Sequence, residues 1–106
     1  MDTEQKEVLT QSLKDKLRIT WNNEKTDREL SETVENAEAY LNHMLGAAVD
    51  YTTPGIEKML FLNLCMYMWN DCQDEFEEAY RKDILRCRAI YEVKANEEEE
   101  EDTGTE

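Results

Sequence analysis

The chain has 106 residues, of which 36% are charged, and its formal net charge is −14 from 26 acidic and 12 basic side chains. This length favours a single domain. The acidic excess argues against a protein that binds DNA or an anionic membrane through its overall charge, since such binding needs clustered Lys and Arg. The longest apolar block, Met59 to Trp69, is too short to cross a bilayer. The acidic, polar N-terminus does not fit a signal peptide.

The first predicted helix ends near Arg18, with Thr3 or Thr10 as its N-cap. Its apolar residues recur at i, i+4 and i+8: Leu9, Leu13 and Leu17. Residues 19–26 are expected to form a loop. In it Trp21 is predicted to plug the core, because aromatic side chains contribute a large buried area. The alternative for Trp21 is a contact with a neighbouring molecule.

The second predicted helix starts at a capping box formed by Thr26 and Glu29. One apolar stripe follows: Leu30, Val34, Ala37, Leu41 and Met44. Gly46 then suits a left-handed residue at the helix end. The outer face is strongly acidic, with Glu32, Glu35 and Glu38.

The third predicted helix starts at Thr53 as cap, with Pro54 in the first turn. It is apolar almost all round between Ile56 and Trp69, which is typical of a buried central helix. Asn63 and Asn70 form a narrow polar line on it. They are expected to be partly exposed amides; the alternative is a buried polar contact that fixes helix register.

The fourth predicted helix is long, from about Asp74 to Ala95. Its core stripe contains Phe76, Tyr80, Ile84, Cys87 and Tyr91. Leu85 points almost the opposite way, with Arg81 and Arg88 beside it. This second face is either an isolated exposed leucine among solvated arginines or a contact with an acidic surface of another subunit.

The sequence therefore predicts an all-α fold, a small bundle of about four helices with a long C-terminal helix. Residues 1–95 form the helical domain. Residues 96–106, which contain five consecutive glutamates, are expected to be a disordered acidic tail. The predicted core residues are Leu13, Leu17, Leu30, Val34, Leu41, Leu60, Leu64, Tyr67, Phe76, Tyr80, Ile84 and Tyr91.

Catalytic patterns are absent from the sequence. The single histidine, His43, is expected on the surface near a helix end. The cysteines lack a C-x-x-C pair and are expected to be small buried residues in a reduced cytoplasmic setting: Cys65, Cys72 and Cys87. We predict no enzyme activity, no cofactor and no metal site. A Cys–His nucleophile would be the basis of an enzyme hypothesis, but no third partner suggests itself.

The order of these segments resembles a known family. "LTQSLKDKLRI", "AEAYLNHMLG", "TPGIEKMLFLNLCMYMW" and "FEEAYRKDILRCRAIYEV" follow one another as in the small all-helical head–tail connector proteins of tailed phages and prophages. Those proteins are also described as head-completion or DNA-packaging adaptors. The resemblance covers residues 9–94 but not the glutamate run.

This resemblance implies a structural virion protein without enzyme activity. It implies a homo-oligomeric ring that matches the dodecameric portal, contacts the portal protein and the next head-completion or tail protein, and extends the DNA channel. Double-stranded DNA would pass through without sequence-specific binding, and no membrane would be involved. The protein would be located at the head–tail interface, and in the host cytoplasm during assembly.

Two surfaces are expected to carry that role. The predicted subunit interface joins a basic and an acidic set: Arg81, Leu85, Arg88, Glu32, Glu35 and Glu38. The resemblance suggests that the portal contact includes Val93, Lys94, Ala95 and Asn96. The alternative function is an acidic helical binding module, a nucleic-acid mimic or inhibitor that acts on a basic host protein.

Overall fold

The fold is described by a computed structural model, which covers residues 1–104, with side chains for residues 1–97. Over the described residues the chain is helical and contains no strands, which confirms the all-α prediction. There are five helices rather than about four. They are α1 (Thr3–Lys16), α2 (Glu24–Leu45), α3 (Ile56–Trp69), α4 (Gln73–Ala79) and α5 (Arg81–Gly104).

α1 starts with a capping box that the sequence analysis missed. The Asp2 side chain accepts a hydrogen bond from the Gln5 backbone N–H (2.8 Å), and Gln5 accepts one from the Asp2 backbone N–H (3.0 Å). Neither Thr3 nor Thr10 is the cap. The helix ends at Lys16, and Arg18 takes a left-handed conformation with a φ of 60°. The predicted end near Arg18 is therefore about half a turn late.

α2 begins earlier than predicted. Asn23 is its N-cap, and the Asn23 side chain accepts hydrogen bonds from the backbone N–H groups of Lys25 (3.0 Å) and Thr26 (3.2 Å). The predicted Thr26 cap is wrong because Asn23 already satisfies these first-turn donors. At the other end, Gly46 has a φ of 70° and closes the helix, as predicted.

α3 begins later than predicted. Its N-cap is Gly55, and no side chain caps the helix. The expected Thr53 cap is wrong, because the Thr53 hydroxyl points to the Asp50 carboxylate (3.5 Å). Thr52 also donates its backbone N–H to that carboxylate (2.9 Å), so Asp50 organises the turn before the helix. Pro54 lies in this turn, outside the helix.

The predicted fourth helix is two helices. The backbone leaves helical geometry at Tyr80, with φ −115° and ψ 18°. The Tyr80 ring packs with the rings of Phe76 (centroids 5.1 Å apart) and Tyr67 (6.0 Å). α5 then continues to Gly104, so the predicted helix end at Ala95 is wrong; five of the residues that follow are glutamates, which favour helix. Disorder over 96–106 stays a prediction, and Thr105 and Glu106 lie outside the described residues.

α3 is the central helix, as predicted: it contacts each of the other four. Eight of the predicted core residues are buried: Leu13, Leu30, Val34, Leu41, Leu60, Leu64, Phe76 and Ile84. The other four are partly buried and pack against this core: Leu17, Tyr67, Tyr80 and Tyr91. The surface of α3 is not uniformly covered, since the Ile56 side chain remains 40% exposed.

The connection between α2 and α3 supplies core that the sequence analysis missed. Tyr51 is buried and stacks on Phe61, with ring centroids 4.7 Å apart. Its hydroxyl donates to the side-chain oxygen of Asn42 (2.7 Å), which also accepts from the Val49 backbone N–H (3.2 Å). One asparagine on α2 thus fixes two points of the following connection.

Trp21 does not plug the core, contrary to prediction; its side chain is 56% exposed. Ile19 is buried in the same connection instead.

Asn63 is partly exposed and Asn70 is exposed, which confirms the prediction that these amides are not buried. Each donates to a backbone carbonyl of its own helix, at Met59 (2.9 Å) and Met66 (2.8 Å), and neither bond crosses to another helix.

Candidate functional site

A groove of about 720 Å³ lies where the C-terminal end of α2 meets α4 and the start of α5. It brings together three residues that were predicted to face another subunit: Arg81, Leu85 and Arg88. The structure adds α2 and α4 residues that the sequence analysis did not assign to this surface. The full lining is His43, Met44, Asp74, Glu77, Glu78, Arg81, Ile84, Leu85 and Arg88.

The groove has an apolar centre with charges around it. Leu85 is 55% exposed, while Ile84 next to it is buried. Arg81 makes no ion pair among the described residues, and Arg88 pairs only with Glu92 of its own helix, at 3.2 Å between exposed side chains. Such exposed pairs are weak. Both guanidinium groups can therefore engage carboxylates of another molecule at little cost.

α4 is attached to α2 at the edge of the groove. The Tyr40 hydroxyl donates to the Glu77 carboxylate (2.8 Å). Burial raises the pKa of Tyr40, and the Glu77 hydrogen bond and charge add to the rise. The phenol stays protonated and keeps donating, which holds Glu77 of α4 against α2. The α4 acids and the α5 arginines line the same groove. The groove thus presents both signs of charge side by side.

The acidic half of the predicted interface lies apart from the groove. Glu35 forms an ion pair with Lys6, and Glu38 pairs with the N-terminal amine of Met1 (2.9 Å). Glu35 therefore already contacts α1, and Glu38 contacts the residue at the start of the chain. Glu32 is exposed. Because none of these acids lines the groove, a contact between them and the groove would join two copies head to tail.

The predicted portal-contact residues lie on the part of α5 beyond Tyr91. All four are exposed: Val93, Lys94, Ala95 and Asn96. The Lys94 ammonium lies 5.1 Å from the centroid of the Tyr91 ring, a cation–π contact. Val93 is 56% exposed, so an aliphatic side chain of this segment is accessible to a partner.

The histidine and the cysteines differ in burial. His43 is exposed, as predicted. Cys65 and Cys87 are buried, as predicted, while Cys72 is only partly buried. Burial raises the pKa of the Cys65 thiol to about 12, and burial together with the charges of Glu57 and Asp83 raises that of Cys87. Both thiols are therefore held in the unreactive protonated form.

Within the described part of the chain, no group of three or more His, Cys, Asp or Glu side chains is arranged to hold a metal ion. Nor is any helix in that part long and apolar enough to cross a membrane. No protein-family model, curated protein or solved structure matches this chain.

Proposed function

We propose that this chain is a structural subunit of a tailed-phage head–tail connector, which assembles as a ring on the portal and extends the DNA channel. The observation that carries the proposal is the groove, in which an exposed leucine lies between Arg81 and Arg88, and Arg88 is held only by a weak exposed pair with Glu92. The resemblance described above supplies the biological setting.

Ring formation would use two different surfaces of each copy. Arg81 and Arg88 of one copy would approach the acidic face of α2 in the next, and Leu85 would be covered at the centre of the contact. Glu32 is the most available acid of that face, because Glu35 already pairs with Lys6 and Glu38 with the N-terminal amine. Head-to-tail contacts of this kind close into a ring when the rotation between copies permits.

The charge balance fits a channel through which DNA moves. A net charge of −14 opposes phosphate binding, so a duplex would pass without being held. The exposed residues of α5 beyond Tyr91, with Val93 among them, would contact the portal, which fixes the ring at the head vertex.

The experiment is assembly of the purified chain with purified portal, imaged by negative-stain electron microscopy. We expect a ring of added density on the portal. The double reversal Arg81→Glu with Arg88→Glu should weaken the binding of neighbouring copies to each other roughly tenfold or more. It replaces attraction with repulsion at both flanks of Leu85.

A matched control reverses two exposed lysines away from the groove, Lys16→Glu with Lys25→Glu, and should leave assembly unchanged. If the groove variant assembles like the parent chain, the interface is wrong. If the parent chain ignores the portal but captures a basic host protein through residues 96–106, the alternative of an acidic binding module is correct instead.

A further inference from the structure

α5 carries a second exposed stripe, distinct from the groove. Arg86, Ile90, Val93 and Glu97 follow one another at i, i+4, i+7 and i+11, the spacing that keeps residues on one side of a helix. We call these four residues the α5 stripe. Ile90 is 48% and Val93 56% exposed, and the two charged residues are exposed as well. The stripe is thus an apolar pair with a base at one end and an acid at the other.

The stripe lies where α5 leaves the body of the molecule. The last contact of α5 with α3 is a hydrogen bond from the Tyr91 hydroxyl to the Glu57 carboxylate (3.3 Å). Every side chain from Glu92 to Glu97 is exposed. A second helix can therefore approach this part of α5 from solvent. A shallow depression of about 400 Å³ already follows it, lined by Ala89, Ile90, Val93, Lys94 and Glu97.

The order of residues in the stripe is complementary to itself when reversed. Arg86 and Glu97 lie at equal sequence distances on either side of the Tyr91–Glu92 peptide bond, and so do Ile90 and Val93. An antiparallel copy therefore places Arg86 opposite the second copy's Glu97, and Ile90 opposite its Val93. The 4-3-4 spacing is that of alternating a and d positions, which face each other in antiparallel helix pairs.

We propose that two copies of this chain associate through the α5 stripe as an antiparallel helix pair. A parallel pair is disfavoured, because it would place Arg86 against Arg86 and Glu97 against Glu97. Two apolar residues per copy make a small contact, so the dimer is weak, with a Kd on the order of 100 µM. The symmetric contact uses the same surface on both copies and closes at two.

The dimer does not depend on the connector proposal. It leaves the groove uncovered, so head-to-tail contacts remain available to each copy. It does cover Val93, one of the predicted portal-contact residues. A dimer therefore has to separate before the portal binds this segment.

The test is sedimentation equilibrium of the full chain without portal, from about 1 µM to about 1 mM, a range that brackets the expected Kd. We expect a concentration-dependent monomer–dimer equilibrium. The single reversals Arg86→Glu and Glu97→Arg should each weaken it about tenfold, because each creates two repulsive contacts in the symmetric pair. Replacing both apolar residues, Ile90→Ser with Val93→Ser, should abolish it.

Two recoveries test the pairing, and the second is specific to the antiparallel register. A mixture of the Arg86→Glu chain and the Glu97→Arg chain should form heterodimers, since both cross-pairs then become attractive. The double variant R86E/E97R should regain self-association close to that of the parent chain. A parallel pair does not predict this second recovery, because like charges would still face each other.

The matched control is Lys25→Glu, which makes the same charge change at an exposed site on α2 and should leave the dimer unaffected. Circular dichroism checks that each variant keeps the parent helix content, which is expected because the substituted side chains are exposed. A chain that stays monomeric throughout overturns the proposal. So does a dimer that ignores both single reversals, or a double variant that does not recover. No portal is present, so failure of the connector role leaves these outcomes unchanged.

Discussion

Asn42 shows how one polar side chain can hold a connection in place. Its carboxamide oxygen accepts from the Tyr51 hydroxyl and from the Val49 backbone N–H, and both partners are buried residues of the link between α2 and α3. A buried donor left without its acceptor costs more than the net value of the hydrogen bond. The stability of the Tyr51–Phe61 stack therefore rests partly on this asparagine.

Replacing Asn42 by Ala should lower the free energy of unfolding by about 2 kcal/mol, because two buried donors lose their acceptor. Chemical denaturation followed by circular dichroism measures the change. Asn36→Ala is the matched control, an exposed asparagine on the same helix, and should change stability by less than about 0.5 kcal/mol. Equal effects from the two substitutions would mean that Asn42 does not hold the connection.

At the scale of whole elements, the N-cap residue determines where α2 begins. α2 starts at the Asn23 cap, so its first turn includes Thr26 rather than beginning there. The capping box read from Thr26 and Glu29 is a valid local pattern. It is overridden because Asn23, three residues earlier, already caps the helix through the N–H groups of Lys25 and Thr26, and asparagine is the stronger cap.

Asn23→Ala should therefore destabilise the protein by about 1 kcal/mol, the usual cost of a lost N-cap. Thr26→Ala should be close to neutral, because Thr26 lies inside the helix, where Ala is the better helix former. Thermal denaturation of the two variants compares them directly. A larger loss from Thr26→Ala than from Asn23→Ala would restore the start predicted from the sequence.

Periodic apolar stripes made the existence of the helices and most of the core predictable. Leu30, Val34 and Leu41 are buried, and their helical spacing places all three on one face of α2. The break at Tyr80 was not predictable, since no Gly or Pro marks it; only the structure shows the Tyr80 ring against Tyr67 of α3.

The candidate site was predictable in part for the same reason. Arg81, Leu85 and Arg88 share one helix, so their common face follows from spacing alone. The contribution of His43 and of the α4 acids to the groove depends on how α2 crosses α4 and α5. Trp21 was misplaced because a large apolar area favours burial without specifying which residue of a loop is buried; Ile19 is buried instead.

For the molecule as a whole, buried protonated groups couple stability to alkaline pH. Burial raises the pKa of the Cys65 thiol from 9.0 to about 12 in the folded chain and raises that of the Tyr51 phenol strongly. Between the unfolded and folded pKa values, the folded state holds protons that the unfolded state has released. These groups therefore contribute fully to the free energy of unfolding below about pH 9, and that free energy falls as the pH rises further.

We expect the free energy of unfolding to decrease steadily from about pH 9 to about pH 12. Denaturant titrations at several pH values measure this slope. Cys65→Ala removes one of the groups and should flatten the decline, although it lowers stability at neutral pH by leaving a small cavity. If the parent chain and this variant have the same slope, Cys65 is not buried as described.

The central position of α3 has a consequence during synthesis. Its apolar surface is covered by α1 and α2, which precede it, and by α4 and α5, which follow it. A growing chain therefore carries an incompletely covered apolar helix until Phe76, Ile84 and Cys87 have been made. At about 5–20 residues per second, translation takes about 1–4 s to pass from Trp69 to Cys87. The apolar surface of α3 is therefore fully covered only once the last third of the chain has been made and has packed against it.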